Sequence, residues 1–171
     1  MQNRLMPAGE YWAPTGPLGG DGAGAVAANV EYAVRTENGL STLWDRIGLE
    51  ITTVAGALSS VYLSLRSDYQ TRPYNLINTF GFIDGNLLGY QELVISQPVT
   101  PRMPYWLTVT VIGAAPSIRV RNLDSTISQL GISTTLIRGT YLQTGTAIPL
   151  PNIMAINNAA NAAPKILIRA A

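Results

Sequence analysis

Carboxylates are the main groups in this sequence with the chemistry of an acid or a base, because the 171-residue chain contains no histidine and no cysteine. The absence of histidine removes the commonest general base and the commonest metal ligand, and the absence of cysteine removes the thiol nucleophile. Asp45 and Glu50 lie on one predicted strand and are the two carboxylates considered as a glycosidase acid/base pair. Five positions along one strand would separate them by ~17 Å and place them on opposite faces, whereas such pairs span ~5–9.5 Å. We therefore predict no catalytic residues and no enzyme activity.

Two glycine-containing segments are similar in composition to ligand-binding loops but lack the motifs of such loops. Gly19 to Gly24 lacks the Gly-Lys-Ser/Thr ending of a phosphate loop and has no strand before it or helix after it. Asp84-Gly85-Asn86 is followed neither by further acidic residues at calcium-loop spacing nor by a bidentate glutamate. The sequence predicts a linker, a hairpin turn and no cofactor or metal site.

Aromatic side chains allow two interpretations. In the first they form a platform on which sugar rings stack, as in carbohydrate-binding modules. In the second they cover the edge of the core or a subunit interface, where amphipathic aromatics are enriched. We favour the second, because the residues come from separate segments without regular spacing. The candidates for ligand stacking are Tyr62, Tyr69, Tyr74 and Trp106, with Tyr90 as a further member of the set.

Charge is scarce throughout the chain. Apolar residues make up 47% of the sequence and charged residues 12%, about half the ~25% of soluble domains. With 11 basic and 10 acidic residues scattered along the chain, no basic patch for nucleic acid is present in the sequence. No apolar run approaches the ~20 residues of a membrane-spanning helix. We predict neither a nucleic-acid nor a membrane partner, and a surface that is buried against neighbouring subunits.

Hydrophobic residues alternate with polar ones along most of the chain, which is typical of strands with one buried face. We predict an all-β fold, an antiparallel β-sandwich of jelly-roll type with about eight short strands. The predicted strands lie near residues 30–35, 46–52, 61–66, 76–83, 91–96, 105–111, 118–121 and 164–169. The predicted core comprises Val30, Ile47, Leu49, Ile51, Val61, Leu63, Leu65, Leu107 and Val109.

The chain divides into an extended N-terminal arm over residues 1–28, rich in Gly, Pro and Ala, and a jelly-roll domain over residues 29–171. Within the domain, residues 122–163 are predicted to be irregular, with one short helix. Such an arm has little apolar surface to offset a backbone ordering cost of ~1–2 kcal/mol per residue, so we expect it to dock on a neighbouring subunit or partner protein. The alternative is that the arm folds back on its own domain, as some termini do. Its candidate interface side chains are Leu5, Met6, Tyr11, Trp12 and Leu18.

Several stretches resemble a jelly-roll domain of minor structural proteins of tailed bacteriophages. Leu43 to Thr53 is similar to the strand pattern "hydrophobic-x-Arg-Ile-Gly-x-Glu-Val-Thr-Thr", and Val61 to Arg66 is similar to the "Val-x-Leu-x-Ile-Tyr" that follows it. Further matches are Glu92–Ser96, Tyr105–Leu107 and Pro164–Arg169. After Leu65 the sequence departs from the Asp/Asn/Gly-rich turn of that pattern.

The resemblance implies a non-enzymatic virion protein of a head spike, head decoration or tail appendage. It would form a homo-oligomer, which we expect to be a homotrimer, and would dock through its N-terminal arm on other virion proteins. The alternative is a carbohydrate- or receptor-binding module of a phage fibre, with host surface polysaccharide as the partner. No catalytic or cofactor residues are implied by the resemblance.

Overall fold

The computed structural model describes residues 9–12, 21–122, 140–145, 148–154, 158–159 and 162–171. These residues form strands and connecting segments and contain no helix, so the prediction of an all-β fold is confirmed. The strands are β1 (Tyr11–Trp12), β2 (Asp21–Ala25), β3 (Val30–Glu37), β4 (Leu43–Thr53), β5 (Ser59–Tyr69), β6 (Arg72–Asp84), β7 (Gly89–Pro98), β8 (Pro104–Gly113), β9 (Ser117–Asn122), β10 (Thr140–Thr144), β11 (Asn158–Ala159), β12 (Ala162–Pro164) and β13 (Leu167–Ala170).

The strands form two antiparallel sheets. Sheet A has seven strands: β4 pairs with β7, β13 and β9, while β1 pairs with β13, and β2 and β12 pair with β9. Sheet B has six strands in the order β11-β10-β3-β8-β5-β6. The two-sheet sandwich is thus confirmed, and its jelly-roll type stays a prediction.

The core lies between the inner faces of the two sheets. Every second residue of β4, β5 and β8 points inward, as the alternation predicts. All nine predicted core residues are buried, and Trp44 joins them with no exposed surface. Ile118, Ile166 and Ile168 extend the same cluster into β9 and the C-terminal segment.

The N-terminal segment differs from the predicted separate arm at residues 9–12 and 21–28. Strand β1 pairs with β13, and β2 pairs with β9 from Asp21 opposite Arg121 to Ala25 opposite Ser117. Glycine makes the second pairing close, because a Cβ on Gly24 would lie 2.6 Å from a methyl carbon of Val120. Glycine in the segment predicted to be a linker therefore allows β2 to pack closely against β9. As a result, the sheet begins before the predicted domain boundary at residue 29.

The segment predicted to be irregular also contributes to the sheets where it is described. Residues 140–144 form β10 against β3, and residues 162–164 form β12 against β9. Its described residues contain no helix, and the remainder of the segment lies outside the described residues.

A β-bulge in β4 changes the predicted relation between two carboxylates. Arg46 pairs with Arg169 and Trp44 pairs with Ala170, so Asp45 is an extra residue of β4 against β13. Against β7 the register shifts at the same place, but there the extra residue lies in β7. The bulge brings Asp45 to the outer face of sheet A, where Glu50 also lies. The prediction that the two carboxylates lie on opposite faces is therefore wrong.

Candidate functional site

The outer face of sheet A carries a network of ion pairs, which we call the outer network. Arg169 binds Asp45 through two hydrogen bonds, from Nε to Oδ1 at 2.9 Å and from Nη2 to Oδ2 at 2.6 Å. Arg46 Nε lies 3.5 Å from Glu92 Oε1, and Arg46 Nη1 lies 3.7 Å from Asp45 Oδ2. The network joins β13, β4 and β7 across the face of the sheet.

Tyr11 ties the N-terminal segment to the outer network. Its hydroxyl donates a hydrogen bond to Glu92 Oε2, and the guanidinium of Arg169 lies 5.6 Å from its ring centroid, within the range of a cation–π contact. The Tyr90 ring meets it edge to face at 6.0 Å. Of the predicted arm residues, Tyr11 therefore contacts its own domain, and Trp12 pairs through its backbone with Ile168.

Gly48 makes room for Tyr90 on this face. A Cβ at Gly48 would lie 2.4 Å from the carbonyl oxygen of Gln91 and 2.7 Å from the Tyr90 hydroxyl oxygen. The tyrosine ring therefore crosses the sheet over the glycine. Sequence alternation could not reveal this contact, because it depends on which strand lies beside β4.

Asp45 and Glu50 on this face are held in their ionised forms. Hydrogen bonds from Arg169 lower the pKa of Asp45, and hydrogen bonds from Arg119, at 3.0 and 2.7 Å, lower the pKa of Glu50. The hydrogen bond to Glu92 raises the pKa of Tyr11, and burial raises the pKa of Tyr90. A general acid of a glycosidase needs a raised carboxyl pKa, so this arrangement does not suit Asp45 or Glu50 to that role.

Acid is expected to weaken the fold through these pairs. The lowered pKa values mean that Asp45 and Glu50 stabilise the folded state above their ordinary values of 3.8 and 4.5, and that this contribution is lost as the pH falls through their folded-state pKa. Urea unfolding between pH 7 and pH 2 should therefore show stability falling mainly below about pH 4. The Asp45→Asn, Glu50→Gln double variant should be less stable at pH 7 and show a shallower acid dependence. An unchanged acid dependence would show that other carboxylates determine it.

A second polar cluster is buried on the outer face of sheet B. Arg66 and Glu31 have no exposed side-chain surface and form a bidentate pair, with Nε and Nη2 donating to the carboxylate at 2.7 and 2.9 Å. The remaining guanidinium N–H groups donate to the carbonyls of Tyr74, Asn152 and Pro151 at 3.0–3.1 Å. All five donors of Arg66 are thereby used. We call this arrangement the Arg66 clamp, since it joins β5, β3, β6 and the segment at residues 151–152.

Of the predicted ligand-stacking aromatics, Trp106 is fully buried. It packs with Ala33 and Met154, and its Nε1 donates a hydrogen bond of 2.8 Å to Asp68 Oδ1. The prediction that Trp106 offers a stacking surface is therefore wrong. Residues 150–154, distant in sequence, cover that side of the sheet near it, which alternation within β8 does not reveal.

Besides Tyr90, which pairs with Tyr11, the other three tyrosines of that set lie in two aromatic pairs. Tyr62 contacts Phe82 with the ring centroids 5.4 Å apart, and Tyr69 contacts Tyr74 at 5.1 Å. Tyr69 is 56% exposed, next to the turn between β5 and β6. The structure thus brings Tyr69 and Tyr74 together and leaves Tyr62 in a different pair.

The turn beside Tyr69 is strained. Gln70 and Thr71 both have positive φ angles, 52° and 63°, which suit a two-residue hairpin but which β-branched residues rarely adopt. We expect Thr71→Gly to raise the free energy of unfolding by about 1 kcal/mol, because glycine adopts this conformation without a steric penalty. Denaturant unfolding measures the change, and Thr79→Gly, in a strand, should destabilise instead. A loss of stability in Thr71→Gly would mean that the Thr71 side chain contributes more than its backbone costs.

The other residues that the sequence analysis considered for a site are the remaining arm residues and the Asp84 turn. Leu5, Met6 and Leu18 lie outside the described residues. Asp84 Oδ1 accepts a hydrogen bond of 2.8 Å from the Asn86 backbone, as in a hairpin turn. Within the described ranges, no group of three or more acidic residues is placed to hold a metal ion. No helix there is long and apolar enough to cross a bilayer.

Comparison of the sequence with known proteins gives no match from which a function could be assigned. No family model matches the chain, and no curated protein matches it.

Proposed function

We propose that this chain is a non-enzymatic virion structural protein that assembles as a homo-oligomer. One observation carries the proposal: the few charges are used within the domain, while large hydrophobic side chains remain at its surface. At least six of the ten carboxylates form ion pairs, which are Asp21–Lys165, Glu31–Arg66, Asp45–Arg169, Glu50–Arg119, Asp68–Arg35 and Glu92–Arg46.

The apolar part of the surface is extensive. Fourteen large hydrophobic side chains are exposed within the described ranges: Tyr11, Leu40, Val54, Leu58, Tyr69, Ile77, Phe82, Leu87, Leu88, Tyr90, Val94, Met103, Ile148 and Ile153. Single exposed apolar residues are ordinary, but groups of them on a surface poor in charge are typical of subunit interfaces. The resemblance of β4 and β5 to phage structural proteins supports a virion as the assembly.

Docking on other virion proteins is proposed for the N-terminal segment outside its two strands. Tyr11 is used in contacts with the domain itself, and Trp12 lies beside it in β1. The proposed docking side chains outside the two strands are therefore Leu5, Met6 and Leu18. Deleting residues 1–8 removes Leu5 and Met6 but keeps β1 and β2. A loss of docking in this variant would therefore not come from the loss of a strand.

Two measurements test the proposal. The mass of the purified chain in solution, by light scattering over a range of concentrations, should correspond to an oligomer, for which we expect a trimer. Electron microscopy of particles labelled with an antibody against the chain should place it on the virion. A chain that stays monomeric at all concentrations and is missing from particles would overturn the proposal.

The alternative is a carbohydrate-binding module, which is supported by the contact between the exposed Tyr69 ring and the partly buried Tyr74 ring. Stacking on a tyrosine pair of this kind predicts saturable binding to host polysaccharide that is lost in Tyr69→Ala and kept in Tyr62→Ala. Equal loss in both variants, or none in either, would contradict a site at the pair.

A further inference from the structure

One end of the sandwich carries four exposed aliphatic side chains on two neighbouring loops. Val54 and Leu58 lie in the β4–β5 loop, and Leu87 and Leu88 lie in the β6–β7 turn. Their exposures are 44, 91, 58 and 64%, respectively. We call these four residues the apolar tip.

Hydrogen bonds join the two loops of the apolar tip. The Ala55 N–H donates to the carbonyl of Gly85 at 3.1 Å, and the Asn86 side-chain amide donates to the carbonyl of Ala57 at 2.6 Å. These bonds place the two loops side by side, so the four side chains share one end of the domain. The same bonds hold the loops before any partner binds, which lowers the entropy cost of association.

The turn between β8 and β9 forms a hydrogen bond with the backbone of Leu58. The Ala114 N–H donates to the Leu58 carbonyl at 2.9 Å, and Gly113 has a φ of 91°. A Cβ on Gly113 would lie 2.3 Å from that carbonyl oxygen, so the close approach requires glycine. The backbone of Leu58, the most exposed leucine of the described residues, is therefore held by the β8–β9 turn.

The apolar tip carries no formal charge. Residues 54–58, 85–88 and 114–116 contain no acidic or basic side chain. The flanking Asp84 carboxylate accepts a hydrogen bond from the Asn86 backbone. A contact between identical surfaces brings equal charges together near the symmetry axis, so a neutral apolar surface is the kind that complements itself.

We propose that the apolar tip is the self-association surface, where it meets the apolar tip of a second copy around a rotation axis. This inference rests on the proposed homo-oligomer and adds the surface through which it forms. Homo-oligomer interfaces are more apolar than other interfaces, which fits four aliphatic residues without a charge. A lipid surface is a weaker fit, because peripheral membrane binding relies on basic residues beside the apolar ones and these loops have none.

The first test compares substitutions in the apolar tip with a substitution at the opposite end of the sandwich. Leu58→Lys with Leu88→Lys would place like charges against each other, and we expect the dissociation constant of the oligomer to rise about a hundredfold or more. Met103→Lys is the matched control, because Met103 is 50% exposed and lies just before the other end of β8. Analytical ultracentrifugation measures the masses, and circular dichroism checks that each variant is folded.

The second test uses the absence of cysteine from the chain. With Leu58→Cys as the only thiol, copies that meet at this position should form an interchain disulfide under mild oxidation, whereas Met103→Cys should not. If the lysine variant is monomeric, the control is oligomeric and only Leu58→Cys forms the disulfide, the proposal holds.

Other outcomes overturn the proposal in distinguishable ways. If the lysine variant keeps the wild-type mass, the apolar tip is not the interface, although the homo-oligomer stands. If the wild-type chain is monomeric at every concentration, self-association fails as a whole. If the monomer binds neutral phosphatidylcholine vesicles through these leucines, the tip is a lipid-binding surface instead.

Discussion

Arg66→Met is expected to lower the free energy of unfolding by about 3–5 kcal/mol, the range for removing one partner of a buried ion pair. The substitution leaves the Glu31 carboxylate buried without its cation and removes the donors to the three carbonyls of the Arg66 clamp. A buried charge without a partner costs more than a lost surface contact, because water cannot reach it. Urea unfolding at pH 7, followed by tryptophan fluorescence, measures the change.

Two comparisons isolate the cause. Arg119→Met breaks a bidentate pair with Glu50 that is about one third exposed, and it should cost much less than Arg66→Met. Adding Glu31→Leu to Arg66→Met removes the isolated charge and should restore part of the stability. If Arg66→Met were no more costly than Arg119→Met, the clamp would not contribute as a buried pair.

The strands were predictable because their physical cause is local. Residues alternate between core and outer face in β4, β5 and β8, and burial of every second side chain is the main condition for those strands to form. Ile47, Leu49 and Ile51 need no knowledge of their partners to be placed inward. The same is true of Val61, Leu63 and Leu65, all of which are buried.

The polar contacts were not predictable because their cause is distant in sequence. Alternation with Val61, Leu63 and Leu65 puts Arg66 on the outer face of β5, and its side chain does point away from the core. Its burial comes from residues 151–152, 85 and 86 positions further along the chain. Nothing near Arg66 in sequence indicates that this segment crosses the strand.

The N-terminal segment shows the limit of composition as a guide. Gly24 lies in a segment whose Gly, Pro and Ala content predicts a linker. In the sheet it allows β2 to approach Val120 closely, a role that depends on what lies opposite. The bulge at Asp45 is similar, because one extra residue moves a carboxylate to the other face and only the paired strands reveal it.

Trp106→Ala is expected to lower the free energy of unfolding by about 3–5 kcal/mol, as large-to-small substitutions in a core do. The substitution removes a fully buried indole from its contacts with Ala33 and Met154 and deletes the donor to Asp68. Trp106→Phe keeps most of the apolar contact and loses the hydrogen bond, so it should cost less. Urea unfolding of both variants gives the two values.

The comparison with Tyr69→Ala separates packing from ligand binding. Tyr69 is 56% exposed, so its removal should change stability little. If the domain binds polysaccharide through the Tyr69–Tyr74 pair, Tyr69→Ala loses binding at wild-type stability, whereas Trp106→Phe retains binding. A Trp106→Ala variant with wild-type stability and no polysaccharide binding would contradict the buried packing role and restore Trp106 as a ligand-stacking residue. Because the indole has no exposed surface, we expect its effect to appear in stability alone.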